Sequence, residues 1–374
     1  MSKNLTRSFK FILIILSILS LGRGIFNAYL HSHDFQYSPA VMAWSGINHY
    51  QYVLNGGREM ANDILMLSQN GEYGQGLFIL LYPFTLLSWD FAKFTMMIIN
   101  VFLSIFLPIF LSKKFNLSRE KTFLLLTLFL ISTPCRNVIG NGQISFIMLF
   151  FLSFPFFYKQ ITHIILSGVV YLKYNIGYLL FLYFLSKKEI KNTLYSSIIF
   201  IFGWLIYCFI TNSNLLTNLI EPLKVTFYIK TTSELIYGLS FLKFILNDNS
   251  YLNFLILSSS VVFSFLFLLK IKDANCNLIK LSLFCLIILI FSPHRMYDYI
   301  LLLPLLAFSL KHFERYSISK INMLFIFYIF FGLRTIKEFN IDIDNNIIIA
   351  FINIFVFLFL FISNYFFFKK KIFK

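Results

Sequence analysis

The stretch FTMMIINVFLSIFLPIFL (residues 94–111) decides the fold class, because it contains no charged residue and is followed by Lys113 and Lys114. A helix that spans a membrane needs about 20 apolar residues in succession. Similar apolar runs recur from Phe9 to Phe368, and the longest polar stretch between them lies between His31 and Tyr73. The sequence therefore predicts an all-α membrane protein.

The composition supports the same conclusion. Hydrophobic residues make up 58% of the chain, charged residues 13%, and the mean hydropathy is +0.77. A soluble domain carries about 25% charged residues. We therefore predict a single membrane domain over residues 1–374, a polytopic helical bundle of about 10–13 membrane segments.

The net charge of +16 comes mostly from short Lys and Arg clusters between apolar runs. Short basic loops stay in the cytoplasm, so this excess indicates topology rather than nucleic-acid binding. Both termini are predicted to be cytoplasmic, with the protein in the plasma or inner membrane and the first span retained rather than cleaved. The clusters include Lys3, Arg7 and Lys10; Lys113, Lys114, Arg119 and Lys121; Lys187, Lys188 and Lys191; Lys311, Arg315 and Lys320; and Lys369, Lys370, Lys371 and Lys374.

The alternation of apolar and basic segments predicts which turns face outward. Residues 31–72 form an extracytoplasmic loop, Thr133–Gln143 an outer turn, and Asn212–Leu235 an outer loop. Because Lys159 and Lys187 flank Ile161–Ser186, this run is predicted to form two half-helices that turn outward near Lys173 and Asn175. Four polar segments then share the outer face: Asp34, Asn141-Gly142-Gln143, Lys173 and Ser292–Tyr299.

Asp34 is the first candidate for chemistry, since it follows the first span within His31-Ser-His-Asp-Phe-Gln-Tyr37. One interpretation is a general base that takes a proton from an attacking hydroxyl. The other is a solvated or helix-capping carboxylate. His31 and His33 lack a third ligand at a fixed spacing, and the cysteines form no CxxC pair. No metal or cofactor is therefore predicted, although a divalent ion stays open.

Basic and amide side chains supply candidates for binding. Arg136 is either an interfacial anchor or a phosphate-binding residue, because guanidinium matches phosphate oxygens in a bidentate manner. Asn141 and Gln143 offer amide donors to sugar hydroxyls. Lys173 stands among apolar residues, where a lysine must pair or face a wet cavity.

The segment Ser292-Pro-His-Arg-Met-Tyr-Asp-Tyr299 breaks two apolar runs. It places His294, Arg295 and Asp298 within five residues. A simple polar hairpin with an Arg–Asp pair is one interpretation. A polar cavity at a proline-broken turn is the other.

Taken in order, these motifs resemble glycosyltransferase family 87, a polyprenol-phosphate-mannose-dependent family with the GT-C fold. The resemblance runs from Asp34 to about Ala307. Its features are Asp34 with Tyr37 and Ala40; Gly46, Asn48 and Tyr50; Tyr82-Pro83; Asn141-Gly142-Gln143; Lys173; and Ser292-Pro293 with Tyr297-Asp298 and Pro304.

The resemblance implies transfer of a mannose-like hexose from a polyprenyl-phosphate donor to a lipid or glycan acceptor hydroxyl at the extracytoplasmic face. Asp34 would be the catalytic base. Arg136, Lys173 and Arg295 would provide cations for the donor phosphate, and Asn141, Gln143, His294, Tyr297 and Asp298 would contact substrate. The competing interpretations are a transporter or flippase of lipid-linked glycans, which would show internal repeats, and a glycan polymerase.

Overall fold

The computed structural model describes residues 6–32, 35–57, 73–228, 250–272, 276–332 and 343–372. These residues form helices and connecting turns, with no strand among them, so the all-α prediction is confirmed. The helices up to residue 157 are α1 (Arg7–His31), α2 (Tyr37–Trp44), α3 (His49–Leu54), α4 (Gln75–Leu80), α5 (Tyr82–Thr85), α6 (Trp89–Phe115), α7 (Arg119–Ile131), α8 (Thr133–Asn141) and α9 (Ser145–Phe157).

The described residues of the second half of the chain form further helices and two 3₁₀ turns. Gly168–Leu172 is a 3₁₀ turn before α11, and Met296–Leu302 is a 3₁₀ turn before α16. A π turn, Tyr328–Gly332, follows α17. The helices are α10 (Ile161–Ser167), α11 (Tyr174–Ser186), α12 (Ile190–Ile210), α13 (Leu215–Tyr228), α14 (Ser250–Ile271), α15 (Asn277–Phe291), α16 (Leu303–His312), α17 (Ser317–Phe327) and α18 (Ile343–Ile372).

Several of these helices are long and apolar enough to cross a membrane. Among the described residues they are α1, α6, α12 and the Ile352–Lys369 part of α18. The bent pair α7 and α8, with 56° between its axes, adds a fifth if it is one broken span. Shorter apolar helices of 10–17 residues, such as α9, α11 and α15, accompany them. The chain is a multi-pass membrane protein, and the count of about 10–13 membrane segments stays a prediction.

The centre of the bundle is α15. Every residue from Leu281 to Phe291 is buried, as expected for a helix that is apolar on all sides and surrounded by other helices. It packs against α14, α16 and α18. By contrast, α1, α6 and α12 expose large apolar side chains such as Phe11, Phe102 and Phe209. Those faces are suited to lipid.

Basic residues from distant parts of the chain meet at one end of the bundle. Lys10 Nζ lies 3.2 Å from Glu120 Oε1, which joins the start of α1 to the start of α7. Lys121 Nζ donates to the carbonyl oxygen of Lys311 at 3.0 Å, which adds the end of α16. This grouping agrees with the predicted topology. The cytoplasmic orientation of this end stays a prediction based on the positive-inside rule.

Two segments predicted as loops or turns contain helices. The expected outer loop Asn212–Leu235 contains helix α13 in its described part, where the Asn214 side chain accepts hydrogen bonds from the amides of Leu216 and Thr217. Its position on the outer side stays a prediction. The expected turn Thr133–Gln143 is mostly α8. This helix begins where Ser132 Oγ accepts from the Cys135 amide.

A close contact between two glycines holds helix α4, which follows the first predicted loop, against helix α12. Gly76 of α4 packs against Gly203 of α12, and a Cβ built on Gly203 would lie 2.4 Å from the Gly76 Cα. Small residues let helices in membranes approach closely. The contact holds Gln75, the first residue of α4, beside α12 and α13.

Candidate active site

Three polar turns from distant parts of the chain meet at one place. Ser145, which follows the Asn141–Gln143 turn, donates from Oγ to Asp298 Oδ1 at 2.7 Å. Asn175 donates from Nδ2 to the Pro293 carbonyl oxygen at 2.6 Å. The α8–α9 turn, the break before α11 and the segment after α15 therefore contact one another directly.

Lys173 and Asp298 form the centre of this site. Lys173 Nζ lies 2.5 Å from Asp298 Oδ1 and 3.1 Å from Ser145 Oγ. The two charged side chains are 5% and 2% exposed. Removing one partner of a buried ion pair costs about 3–5 kcal/mol, because the remaining charge is left without compensation. The pair therefore fixes the three turns relative to one another.

The local backbone explains why Lys173 stands at a helix break. The chain changes from the 3₁₀ turn to α11 at Lys173, whose backbone is extended. Its carbonyl oxygen accepts the amides of Ile176 and Gly177, both at 2.9 Å. A Cβ on Gly177 would lie 2.5 Å from the Tyr171 Cα, so the tight fold requires glycine there. The predicted division of Ile161–Ser186 into two half-helices near Lys173 is confirmed.

The Asp298 carboxylate also organises its own 3₁₀ turn. Asp298 Oδ2 accepts the backbone amide of Arg295 at 3.4 Å, so the carboxylate caps the start of the turn. The ring of the adjacent Tyr297 lies with its centroid 5.3 Å from Lys173 Nζ. One carboxylate thus connects Lys173, Ser145 and the Arg295 backbone.

His294 is buried beside this turn. Its Nδ1 lies 2.9 Å from the Ser292 carbonyl oxygen, and its ring packs edge-on against Tyr299. Burial away from water lowers the pKa of His294 to about 4 from its ordinary 6.5. The ring is therefore neutral near pH 7. A neutral ring that donates from Nδ1 to a carbonyl presents Nε2 as an acceptor.

The other predicted binding residues lie on or after α8. Arg136 is half-buried, and its Nη2 donates to Thr133 Oγ1 at 3.3 Å. Asn141 is half-buried at the end of the helix. Gln143 is buried, and its Oε1 accepts the Tyr73 hydroxyl at 3.3 Å. Because α8 packs on the 3₁₀ turn that contains Asp298, all three belong to the same region.

Asp34 lies outside the described residues, as does His33. The residues on either side contact the α8–α9 turn. A Cβ built on Gly142, whose φ is +67°, would lie 2.7 Å from Ser32 Oγ and 3.4 Å from Phe35 Cβ. The chain on both sides of Asp34 therefore passes close to Gly142, and the catalytic role of Asp34 stays a prediction.

A buried polar seam continues from Lys173 to a second acid, Glu221 of α13. Tyr174 donates from its hydroxyl to Gln75 Oε1 at 2.9 Å, and Gln75 Nε2 donates to Asn218 Oδ1 at 3.0 Å. Asn218 Nδ2 then donates to Glu221 Oε2 at 2.7 Å. No motif singled out Glu221 in the sequence. The one signal was a single acid followed by Pro222, within a segment that mixes apolar and polar residues.

Comparison with models of known protein families gives a match. The model of glycosyltransferase family 87 matches residues 73–293, more than half of the chain. The chain belongs to glycosyltransferase family 87. No curated protein and no solved structure matches it. Family 87 membership makes the chain a glycosyltransferase, and its all-α architecture is consistent with the GT-C fold.

The family 87 match includes part of the candidate site. Gln143, Lys173 and Glu221 lie inside the matched residues, whereas Asp34 and Asp298 lie outside them. Glycosyltransferase membership favours an enzyme over the transporter or flippase that was the competing interpretation.

The arrangement offers hydrogen-bond donors and acceptors for an uncharged polar ligand and cations for an anionic one. Arg136 and Arg295 are the half-buried cations of this family 87 site, while the Lys173 ammonium contacts Asp298 and Ser145. Within the described ranges, no group of three His, Cys, Asp or Glu residues is arranged to hold a metal ion.

Proposed function

We propose that this protein transfers a mannose-like hexose from a polyprenyl-phosphate donor to a hydroxyl group of a lipid or glycan acceptor. The reaction takes place at the extracytoplasmic face of the cell membrane. The observation that carries the proposal is the buried Lys173–Asp298–Ser145 cluster, located where polar turns of an apolar, family 87 chain meet.

A lipid-linked donor suits the location of this cluster. A polyprenyl chain requires apolar surface, which α1, α6 and α12 provide. The phosphate requires cations near the membrane surface. The half-buried Arg136 and Arg295 support that role, since each guanidinium can donate two parallel hydrogen bonds to phosphate oxygens. The Lys173 ammonium lies in the same region, where it holds the turns together through Asp298 and Ser145.

Transfer also requires a base for the attacking hydroxyl. In this proposal Asp34 accepts the proton of the acceptor hydroxyl, whose oxygen attacks the anomeric carbon of the hexose. The bond between that carbon and the phosphate oxygen breaks, and polyprenyl phosphate leaves with the bonding electrons. Asn141, Gln143 and Tyr297 are the proposed partners of sugar hydroxyls. The contacts of Ser32 and Phe35 with Gly142 support a place for Asp34 near these groups.

The direct test uses purified protein in lipid nanodiscs. Polyprenyl-phosphate donors with radiolabelled mannose, glucose or galactose are incubated with a membrane lipid and glycan extract, and labelled products are separated by chromatography. We expect a labelled product with at least one of these donors and none with a nucleotide sugar. Absence of transfer from every polyprenyl-phosphate donor, with folded protein, would contradict the proposal.

A further inference from the structure

Glu221 is a buried carboxylate surrounded by neutral amides. Its side chain is 4% exposed. Oε2 accepts Asn48 Nδ2 at 2.9 Å and Asn218 Nδ2 at 2.7 Å, while Oε1 accepts Gln51 Nε2 at 2.9 Å. In the part of the chain that the structure describes, no Lys, Arg or His forms an ion pair with it. Burying a carboxylate costs free energy unless hydrogen bonds compensate it, and here three side-chain amides supply them.

The amides that hold Glu221 have fixed orientations. Asn48 Oδ1 accepts the Tyr50 amide at 3.1 Å and the Tyr207 hydroxyl at 3.3 Å, so its Nδ2 must face the carboxylate. Asn218 Oδ1 accepts a hydrogen bond from Gln75 Nε2, so the Asn218 amide nitrogen also faces the carboxylate. Both acceptor atoms are occupied by donors, and the amide nitrogens remain for Glu221. The side chains of Asn48 and Asn218 therefore turn their amide nitrogens, and not their amide oxygens, toward the Glu221 carboxylate.

The two carboxylate oxygens differ in what they can still accept. Each carboxylate oxygen has room for about two hydrogen bonds. Oε2 accepts from the buried Asn218 and the half-buried Asn48, whereas Oε1 accepts from Gln51, which is exposed. Oε1 thus retains acceptor capacity on the side of the exposed Gln51.

We propose that Glu221 Oε1 and the Gln51 carboxamide form a subsite that binds hydroxyl groups of a substrate sugar. A hydroxyl donates to the carboxylate and accepts from the carboxamide, so the pair matches both halves of the group. The proposal rests on the proposed glycosyl transfer, because the sugar belongs to the donor or to the acceptor of that reaction. The hydrogen bonds through Asn218 and Gln75 lead from this subsite to Tyr174, the chain neighbour of Lys173.

The test compares Glu221→Gln and Gln51→Ala with two control variants. Gln160→Ala removes another exposed glutamine, and Glu314→Gln neutralises an acid that, unlike Glu221, is exposed. Equilibrium binding of radiolabelled octyl mannoside to purified protein requires no turnover. We expect Glu221→Gln to weaken this binding about tenfold or more, since a hydrogen bond to a charged group is lost. Gln51→Ala should weaken it by a smaller factor, and both controls should bind as the wild type does.

Steady-state transfer then identifies the source of the sugar. A higher KM for the polyprenyl-phosphate hexose in both variants, with kcat changed less, assigns the subsite to the donor. The same change for the acceptor assigns it to the acceptor sugar. Either result supports the proposal. Deoxy analogues of the sugar that lack the bound hydroxyl should bind the Glu221→Gln variant no more weakly than the complete sugar does.

Several results would overturn the subsite. One is wild-type affinity for octyl mannoside and wild-type KM values in both variants. Another is a fall in kcat that tracks a fall in thermal stability with unchanged affinity, because Glu221 would then only hold α3 to α13. If the wild-type protein transfers no hexose, the proposed function fails, while the octyl mannoside measurement still decides the subsite.

Discussion

Lys173 Nζ lies 2.5 Å from Asp298 Oδ1, and this contact joins the helix break before α11 to a turn 125 positions further along the chain. Ser145 completes the cluster from a third segment. Because neither charge has appreciable contact with solvent, the pair acts as a structural joint. It also puts an ammonium group at the place where the polar turns meet.

The first prediction separates the structural and functional contributions of this pair. Lys173→Met or Asp298→Asn alone should lower the free energy of unfolding by about 3–5 kcal/mol, because a buried charge loses its partner. The double variant Lys173→Met with Asp298→Leu should recover most of that stability, since two apolar side chains can replace a buried pair. Thermal unfolding in detergent measures the stability. Transfer should stay low in the double variant, and restored transfer would show that the pair is only structural.

The second prediction concerns the close contact between α4 and α12. Gly203→Ala should destabilise the protein by about 1–3 kcal/mol, because the new Cβ would overlap the Gly76 backbone. Gly22→Ala is the matched control, since a Cβ there meets nothing within 4 Å. Because Gly22 lies within helix α1, its change to Ala should leave the stability unchanged or raise it slightly. Equal effects of the two substitutions on the unfolding temperature would contradict the packing described.

Local features of the fold could be predicted from the sequence. The apolar runs predicted the long helices, and the lysine within Ile161–Ser186 predicted its division into two helices. Helix α13 was missed because it is amphipathic rather than uniformly apolar. Its buried face carries Asn218 and Glu221, while Leu216 and Lys224 are exposed. Hydropathy reports the mean polarity of a segment and not the face that a neighbour covers.

The pairings within the candidate site could be predicted only in part. A lysine among apolar residues required a partner or a wet cavity, but the sequence did not identify Asp298 as that partner. An Arg–Asp pair within the 292–299 turn was the simpler expectation. The contacts between Glu221 and Asn48, 173 positions apart, depend on how α3 and α13 pack together. No local pattern contains that information.

The third prediction tests topology by cysteine labelling. Cys276 is exposed and is first changed to Ser, whereas Cys135, Cys208 and Cys285 are buried. Single cysteines introduced at Asn62 and Asn345 should react with an impermeant maleimide added outside intact cells, because the basic clusters put both positions on the outer face. A cysteine at Asn116 should react only after the cells are opened. Labelling of the Asn116 position in intact cells would contradict the topology.

The fourth prediction concerns the donor phosphate. Arg136→Ala, Lys173→Ala and Arg295→Ala should each weaken donor binding, by about 1.5–3 kcal/mol for every lost charged hydrogen bond. Lys320→Ala removes an exposed lysine from a cluster predicted to be cytoplasmic and serves as the control. Filter binding of a radiolabelled polyprenyl-phosphate hexose measures affinity, and insertion is checked by membrane fractionation. Normal donor affinity in all three variants would remove the phosphate-binding hypothesis.

The most direct test of the central claim is single-turnover transfer from a polyprenyl-phosphate hexose by wild-type and Asp34→Asn protein in lipid. Asn keeps the size of the side chain and caps a helix about as well as Asp, but it cannot accept the proton. We predict transfer by the wild type and, in the variant, a rate that is lower by about a hundredfold or more, with donor binding largely retained. Equal rates in the two proteins, or no transfer by the wild type, would contradict the account.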